Sequence, residues 1–183
     1  MAATFPTLGP NDGEIRGMFI ADTHDQPIHL HAFWNNIAKT KPIVKVVFLE
    51  AFYHDQNPGA MNPNQIATHL ADRNFNWTGT LAMDLYRLIH ELAANGMEVR
   101  GIDSKMPADF LPTAMAFSRK LQWRTGEVNR HWAQKVREYL HTKTDKRYAI
   151  FGGRVHGTNL KRGPNPLLDV VCFEWTGAQY REY

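Results

Sequence analysis

Short apolar runs alternate along this chain with segments of helical periodicity, and that alternation constrains the fold more than any other feature. Arg16–Ala21, Ile43–Leu49, Met97–Ile102, Arg147–Gly152 and Leu167–Trp175 read as strands. Ile43–Leu49, almost wholly β-branched and apolar, has the pattern of a strand buried on both faces. Between the runs lie helical patterns. One starts at Asp25, an N-cap with Pro27 just inside, and runs to about Lys39. A short one covers Asn64 to about Arg73. Leu81, Leu85, Leu88, Ile89 and Leu92 share one helical face that stops at Asn95-Gly96. Pro107–Leu121 is partly helical, and Glu127–His141 places Trp132, Val136, Tyr139 and Leu140 on one face. Strands separated by helices of this length require crossover connections. The expectation is therefore an α/β fold, a mainly parallel central sheet of about five strands flanked by helices.

With 183 residues the chain has room for one ordinary core, so 1–15 reads as a Pro- and Gly-punctuated lead-in and 16–183 as a single domain. Hydrophobic residues at 43% and charged residues at 21% exclude a disordered or fibrous chain. No apolar run approaches the ~18 residues of a membrane span. Met1–Asp12 carries neither basic residues nor an apolar core, so no secretory signal is read there. The single cysteine, Cys172, excludes an intrachain disulfide and multi-cysteine metal sites, and a reducing compartment fits that count. Lying in an apolar strand, it is expected to be inert. The net charge of +3 comes from basic residues interspersed with acidic ones, which argues against a DNA-binding stripe. Gly152-Gly153-Arg154 lacks the lysine and glycine spacing of a nucleotide loop.

In parallel sheets the ligand crevice lies outside the carboxyl ends of the strands. Asp22 and His24, Glu50, Asp103 and His156 all follow strand ends, so they converge on one edge although they are far apart in sequence. Two histidines with carboxylates suit two chemistries. They can bind a divalent metal such as Zn, Mn or Fe through Asp22, His24, Glu50 and His156. Without metal, a carboxylate can take a proton from water while a histidine stabilises the oxyanion. Glu50 is the expected base or ligand, because a carboxylate after so apolar a run must be partnered or face a cleft. Gly152, Gly153 and Gly157 around His156 suit a tight turn or a loop hugging substrate. Arg154, Asp103 and His54 are the candidates for orienting histidines or binding substrate. His69, His90, His131 and His141 fall on helices and are expected to be structural; of His29 and His31, one faces the crevice rim and the other solvent. Phe52, Tyr53, Phe75 and Trp77 lie in the irregular stretch after Glu50 and around the next helix, and are expected to form a lid.

Ile20-Ala21-Asp22-Thr23-His24 resembles the Gly-Glu-x-His turn of the TIKI/erythromycin-esterase-like superfamily. Val46–Glu50 is similar to its second strand with the terminal glutamate, and Glu98–Asp103 to its Val-x-Gly-Ile-Asp strand. Asn129-Arg130 followed by Ala149–Gly157 resembles its closing Arg-Asn … Gly-x-x-His segment. The motifs keep the family's order from Phe19 to His156, with spacing nearest the toxin-borne branch that holds the Ras-cleaving endopeptidase and the dermonecrotic and mitogenic toxin domains. The resemblance implies a hydrolase-type effector or toxin domain, acting on a peptide or ester carbonyl of a protein or small ester. The Glu-x-His pair, second Glu and late His of the Ras-cleaving members fall on Asp22, His24, Glu50 and His156. Asp22 departs from the pattern, standing where the family has Glu. Relatives that bind haem imply the alternative of a metal- or haem-binding module without turnover, and the toxin branch that of a protein-interaction domain engaging a host or competitor protein. The resemblance implies a cytoplasmic protein or a delivered effector.

Overall fold

The structure, a computed structural model, describes residues 17–22, 35, 44–73, 80–105, 117–142, 147–161, 167–168, 170–176 and 180–183. The lead-in, the helix expected after Asp25, and His24, His29, His31, Phe75 and Trp77 lie outside these residues, as does the side chain of Asp22.

In chain order the elements are β1 (Gly17–Asp22), β2 (Val44–Tyr53), a 3-10 turn (Pro58–Ala60), α1 (Pro63–Asp72), α2 (Thr80–Ala94) and β3 (Glu98–Asp103). They continue with α3 (Phe117–Trp123), a π-helical turn (Arg124–Val128), α4 (Asn129–Thr142), β4 (Arg147–Gly153), α5 (Arg154–Lys161), β5 (Val170–Trp175) and β6 (Tyr180–Glu182). The strands form one sheet of order β3-β2-β4-β1-β5-β6. Every pairing is parallel except β5 with β6. The α/β sheet expected from the sequence is present, with one strand more than the sequence reading counted. The extra strand, Tyr180–Glu182, is three residues long and half exposed, so it carries no apolar run.

Alternation along the strands feeds two cores, one on each face. Met18 and Ile20 of β1, Val47 and Leu49 of β2, and Ala149 and Phe151 of β4 point to one face. There they pack on Ile66 and Leu70 of α1 and on Leu85, Leu88, Ile89 and Leu92 of α2. Phe19, Val46, Phe48, Tyr148 and Ile150 point to the other face, against Trp132, Ala133 and Val136 of α4. Full burial of such side chains is worth about 1.5–3 kcal/mol each. Val44 breaks the parity by joining the first core with Val47. The register explains it: Val44 and Val46 face the consecutive residues Arg147 and Tyr148, so Lys45 is an extra, exposed residue that flips the strand.

Local signals set the element ends. α1 starts with Asn62 and Gln65 in a reciprocal capping box and Pro63 in the first turn. α2 ends at Gly96, whose φ of 77° is the left-handed geometry that glycine takes without strain. No helix of the described residues is long and apolar enough to cross a membrane.

Candidate active site

Parity decides where Glu50 points. Leu49 belongs to the α2 face, so Glu50, one residue on, turns toward α4. β2 continues to Tyr53, which places Glu50 inside the strand rather than at its end as the sequence suggested. The apolar run stops at Glu50, but pairing with β3 resumes at Tyr53 opposite Asp103 after a register shift.

The Glu50 side chain is almost fully buried and held on both oxygens. Its Oε2 accepts the backbone N–H of Gly153 at 2.6 Å. Its Oε1 accepts from Nη2 of Arg124 and lies 3.5 Å from Nε2 of His156. Room for the carboxylate comes from Gly152. A Cβ there would sit 2.8 Å from Oε2 and 3.1 Å from the Trp132 ring. The sequence suggests a tight turn or a loop hugging substrate for these glycines, whereas the requirement at Gly152 is close approach inside β4.

His156 lies in the first turn of α5, which begins directly after β4, and not in a glycine loop. It is buried, and Trp132 stacks on its ring with centroids 4.3 Å apart. Asn129 grips it twice: Nδ2 donates to the His156 carbonyl at 3.0 Å, and Oδ1 lies 2.5 Å from Nδ1. Because the amide nitrogen is used on the carbonyl, Oδ1 is the acceptor and Nδ1 carries the hydrogen. Nε2 is left toward Glu50, able to accept a proton there and, once protonated, to donate.

Asp103, at the end of β3, is fully buried. Its carboxylate accepts from Arg73, from Trp132 Nε1 at 3.1 Å and from Arg124 Nη1 at 3.1 and 2.9 Å. Arg73 also donates to the Glu50 carbonyl at 2.6 Å. The two carboxylates are thus balanced by two guanidinium groups, which is how buried charges become tolerable. Burial alone would lower the guanidinium pKa of Arg124, but the charges of Glu50 and Asp103 outweigh it and hold the pKa above the usual range.

The residues expected at the site divide accordingly. Glu50 and His156 meet, and Asp103 joins them through Arg124 as a buried anchor. Asp22 ends β1 opposite Gly153 in register, which brings its backbone to the same edge. Arg154 is exposed and pairs with Glu174 at 2.9 Å. His54 is exposed, its backbone N–H bonded to the Asp103 carbonyl and its ring 4.7 Å from that of His131. A groove of about 590 Å³ lined by His54, Asp55, Asn57 and Arg100 runs along β3, separate from the Glu50–His156 pair. Phe52 belongs to the core and is not a lid residue. His69 is structural: it stacks on Phe52, and Nε2 meets the Ala51 carbonyl at 2.8 Å. Cys172 is buried in β5, and burial pushes its thiol up to about 11, so it is no nucleophile.

Reading from sequence missed Arg73 and Arg124, which lie in no motif. Trp132 was visible only as one of an apolar face, and Asn129 only through the family resemblance.

The metal expectation rests on four residues, of which His24 and the Asp22 side chain lie outside the described set. Among the described residues no group of three histidine, cysteine or acidic side chains is arranged around a cation. The Arg124 guanidinium on Glu50 Oε1 and the Gly153 N–H on Oε2 favour the charged form of this carboxylate.

No family model matches the chain, and no curated protein matches its sequence. Solved structures do. The type III effector HopBA1 superposes with a TM-score of 0.69 at 19% identity, over 86% of this chain and 75% of that one. RRSP, a MARTX toxin effector domain from Vibrio vulnificus CMCP6, gives 0.59 at 18% identity, over 93% of this chain and 35% of that one. The Pasteurella multocida toxin, whose C-terminal region is described as holding a thiol-protease-like catalytic triad, gives 0.61 at 13% identity, over 96% of this chain and 26% of that one. The chain therefore spans most of the first and about a third or less of the other two. The chain shares its fold with these toxin and effector domains.

Proposed function

We propose that this chain is a hydrolase-type effector domain that uses Glu50 and His156 to direct water onto a peptide or ester carbonyl. The observation that carries the reading is the buried pair itself: Glu50 Oε1 lies 3.5 Å from His156 Nε2, with Asn129 fixing the imidazole tautomer. In the base role, the Glu50 carboxylate accepts one proton from water. The water oxygen then bonds to the carbonyl carbon, and the C=O electron pair moves onto the carbonyl oxygen. Glu50 hands that proton to His156 Nε2, which serves the oxyanion as a donor. His156 then passes the proton to the leaving amine or alkoxide as the C–N or C–O bond breaks and the oxyanion's electron pair re-forms the C=O. Asp22 and His24, implied by the resemblance, would complete the edge, and a divalent metal held there with Glu50 and His156 remains a second source of the same polarisation. A cysteine mechanism like the one named for the Pasteurella toxin has no support in this chain, because Cys172 is buried within β5.

The effector-like neighbours favour a folded protein of a host or competitor as the target. The test is incubation of the whole protein with small esters, peptides and folded proteins, small GTPases first, in ¹⁸O-labelled water. Cleavage should place one ¹⁸O in the new carboxylate and should survive EDTA. Loss of cleavage in EDTA would transfer the step to a metal. No cleavage by a folded protein that binds haem or a divalent ion would overturn the reading in favour of a binding module.

A further inference from the structure

We propose that Arg124 is a gate over Glu50: its guanidinium closes the carboxylate to water at rest and pivots on Asp103 to open it. This rests on the reading of Glu50 as the base and adds how that base is controlled. Glu50 keeps 4% of its side chain exposed, and His156 keeps 2%. Arg124 keeps 18%, so among the described residues on the Glu50 carboxylate it is the side chain that reaches solvent. A water attacking a substrate carbonyl must stand against a Glu50 oxygen, and Oε1, the oxygen facing His156, is the one Arg124 covers.

The guanidinium is also divided in a way that permits pivoting. Nη1 alone bonds both oxygens of Asp103, while Nη2 alone bonds Glu50. Rotation about the Asp103 end releases Nη2 without unpairing the whole buried cation. Trp132 Nε1 and Arg73 hold Asp103 in place while this happens. The backbone suits such movement, because Arg124 opens the π-helical turn Arg124–Val128 between α3 and α4. A π turn is the wider, rarer helical geometry that is frequent at functional sites. A released Nη2 requires a new acceptor, and the substrate carbonyl oxygen beside Glu50 supplies one. Arg124 would then meet the oxyanion as it forms, while Glu50, released from Arg124, takes the proton from water.

The test reads access to Glu50 without any assay of turnover. Carbodiimide with glycine ethyl ester converts reachable carboxyls to amides, and peptide mass spectrometry separates Glu50 from Asp103. Wild type, Arg124→Lys and Arg124→Ala are compared on the full chain, with circular dichroism to confirm folding. Glu50 labelling should rise at least tenfold in Arg124→Ala and by a smaller factor in Arg124→Lys, with Asp103 still protected by Trp132 and Arg73. Unchanged Glu50 labelling in a folded variant would overturn the proposal. Equal rises at Glu50 and Asp103 would also overturn it, since they mean general loosening. If Arg124→Ala does not fold, Arg124→Lys alone decides by the same criterion. Failure of the hydrolase reading would appear instead as normal gating in a protein that cleaves nothing.

Discussion

Among the described residues, carboxylates sit between arginines in two places, and burial makes them different objects. At the β5–β6 corner Glu174 pairs with Arg154 and Arg181, whose side chains are 56% and 63% exposed. Water and salt screen such pairs, which typically contribute about 0–1 kcal/mol. Within β2 and at the end of β3, Glu50 and Asp103 pair with Arg73 and Arg124 where neither carboxylate is more than 4% exposed. There the charges are a liability unless every partner is present. Apolar residues of the same volume often replace such a buried network at no loss of stability, so its presence is weak evidence that it stabilises the fold.

The comparison is most easily broken at Asp103. Asp103→Asn leaves Arg73 and Arg124 facing a neutral amide, and breaking a buried pair in this way costs about 3–5 kcal/mol. Chemical denaturation should show that loss; a change below about 1 kcal/mol would mean the buried network behaves like a surface one. Gly152→Ala sharpens the point sterically, since its Cβ would stand 2.8 Å from Glu50 Oε2. Overpacking of this kind costs about 1–3 kcal/mol, and hydrolysis should fall further than stability does. A fully active Gly152→Ala would place the working carboxylate elsewhere.

The pH dependence is smaller and has a fixed sign. Burial lowers the pKa of His69 and of His131 below the ordinary 6.5, with the His54 charge adding to the effect at His131. Below pH 6.5 the unfolded chain therefore binds protons that the folded chain refuses, so stability falls as pH drops from about 6.5 toward the lowered folded values. Replacing His69 by Phe should flatten this fall; a steeper fall would contradict the assignment. The smallest effect is expected at the surface, where Arg181→Ala should change stability by under about 1 kcal/mol, and by less in high salt.

Much of this was legible in the sequence because strands announce themselves by burial. Ile43–Leu49 could only be a central strand, and the helix of Leu85, Leu88, Ile89 and Leu92 could only cover it. Glu50 and His156 stand out because each follows an apolar run, although Glu50 lies within β2 and not at its end. Arg73 and Arg124 did not stand out, since an arginine in a polar helix or turn usually faces solvent, and only the folded chain shows two carboxylates waiting beneath them. His156 was placed in a loop because glycines flank it, whereas Gly152 serves the Glu50 carboxylate by lacking a side chain. The sixth strand escaped because Tyr180–Glu182 is too short and too polar to show a period.

The most direct test of the central claim is the hydrolysis rate of Glu50→Gln beside wild type, on whichever carbonyl substrate wild type cleaves, with a thermal melt of each protein. Gln keeps the shape and can still accept the Gly153 N–H, but it cannot take a proton from water. The account predicts a loss of about 10²- to 10⁴-fold in rate in a protein that remains folded. A folded Glu50→Gln protein that cleaves at the wild-type rate would contradict it.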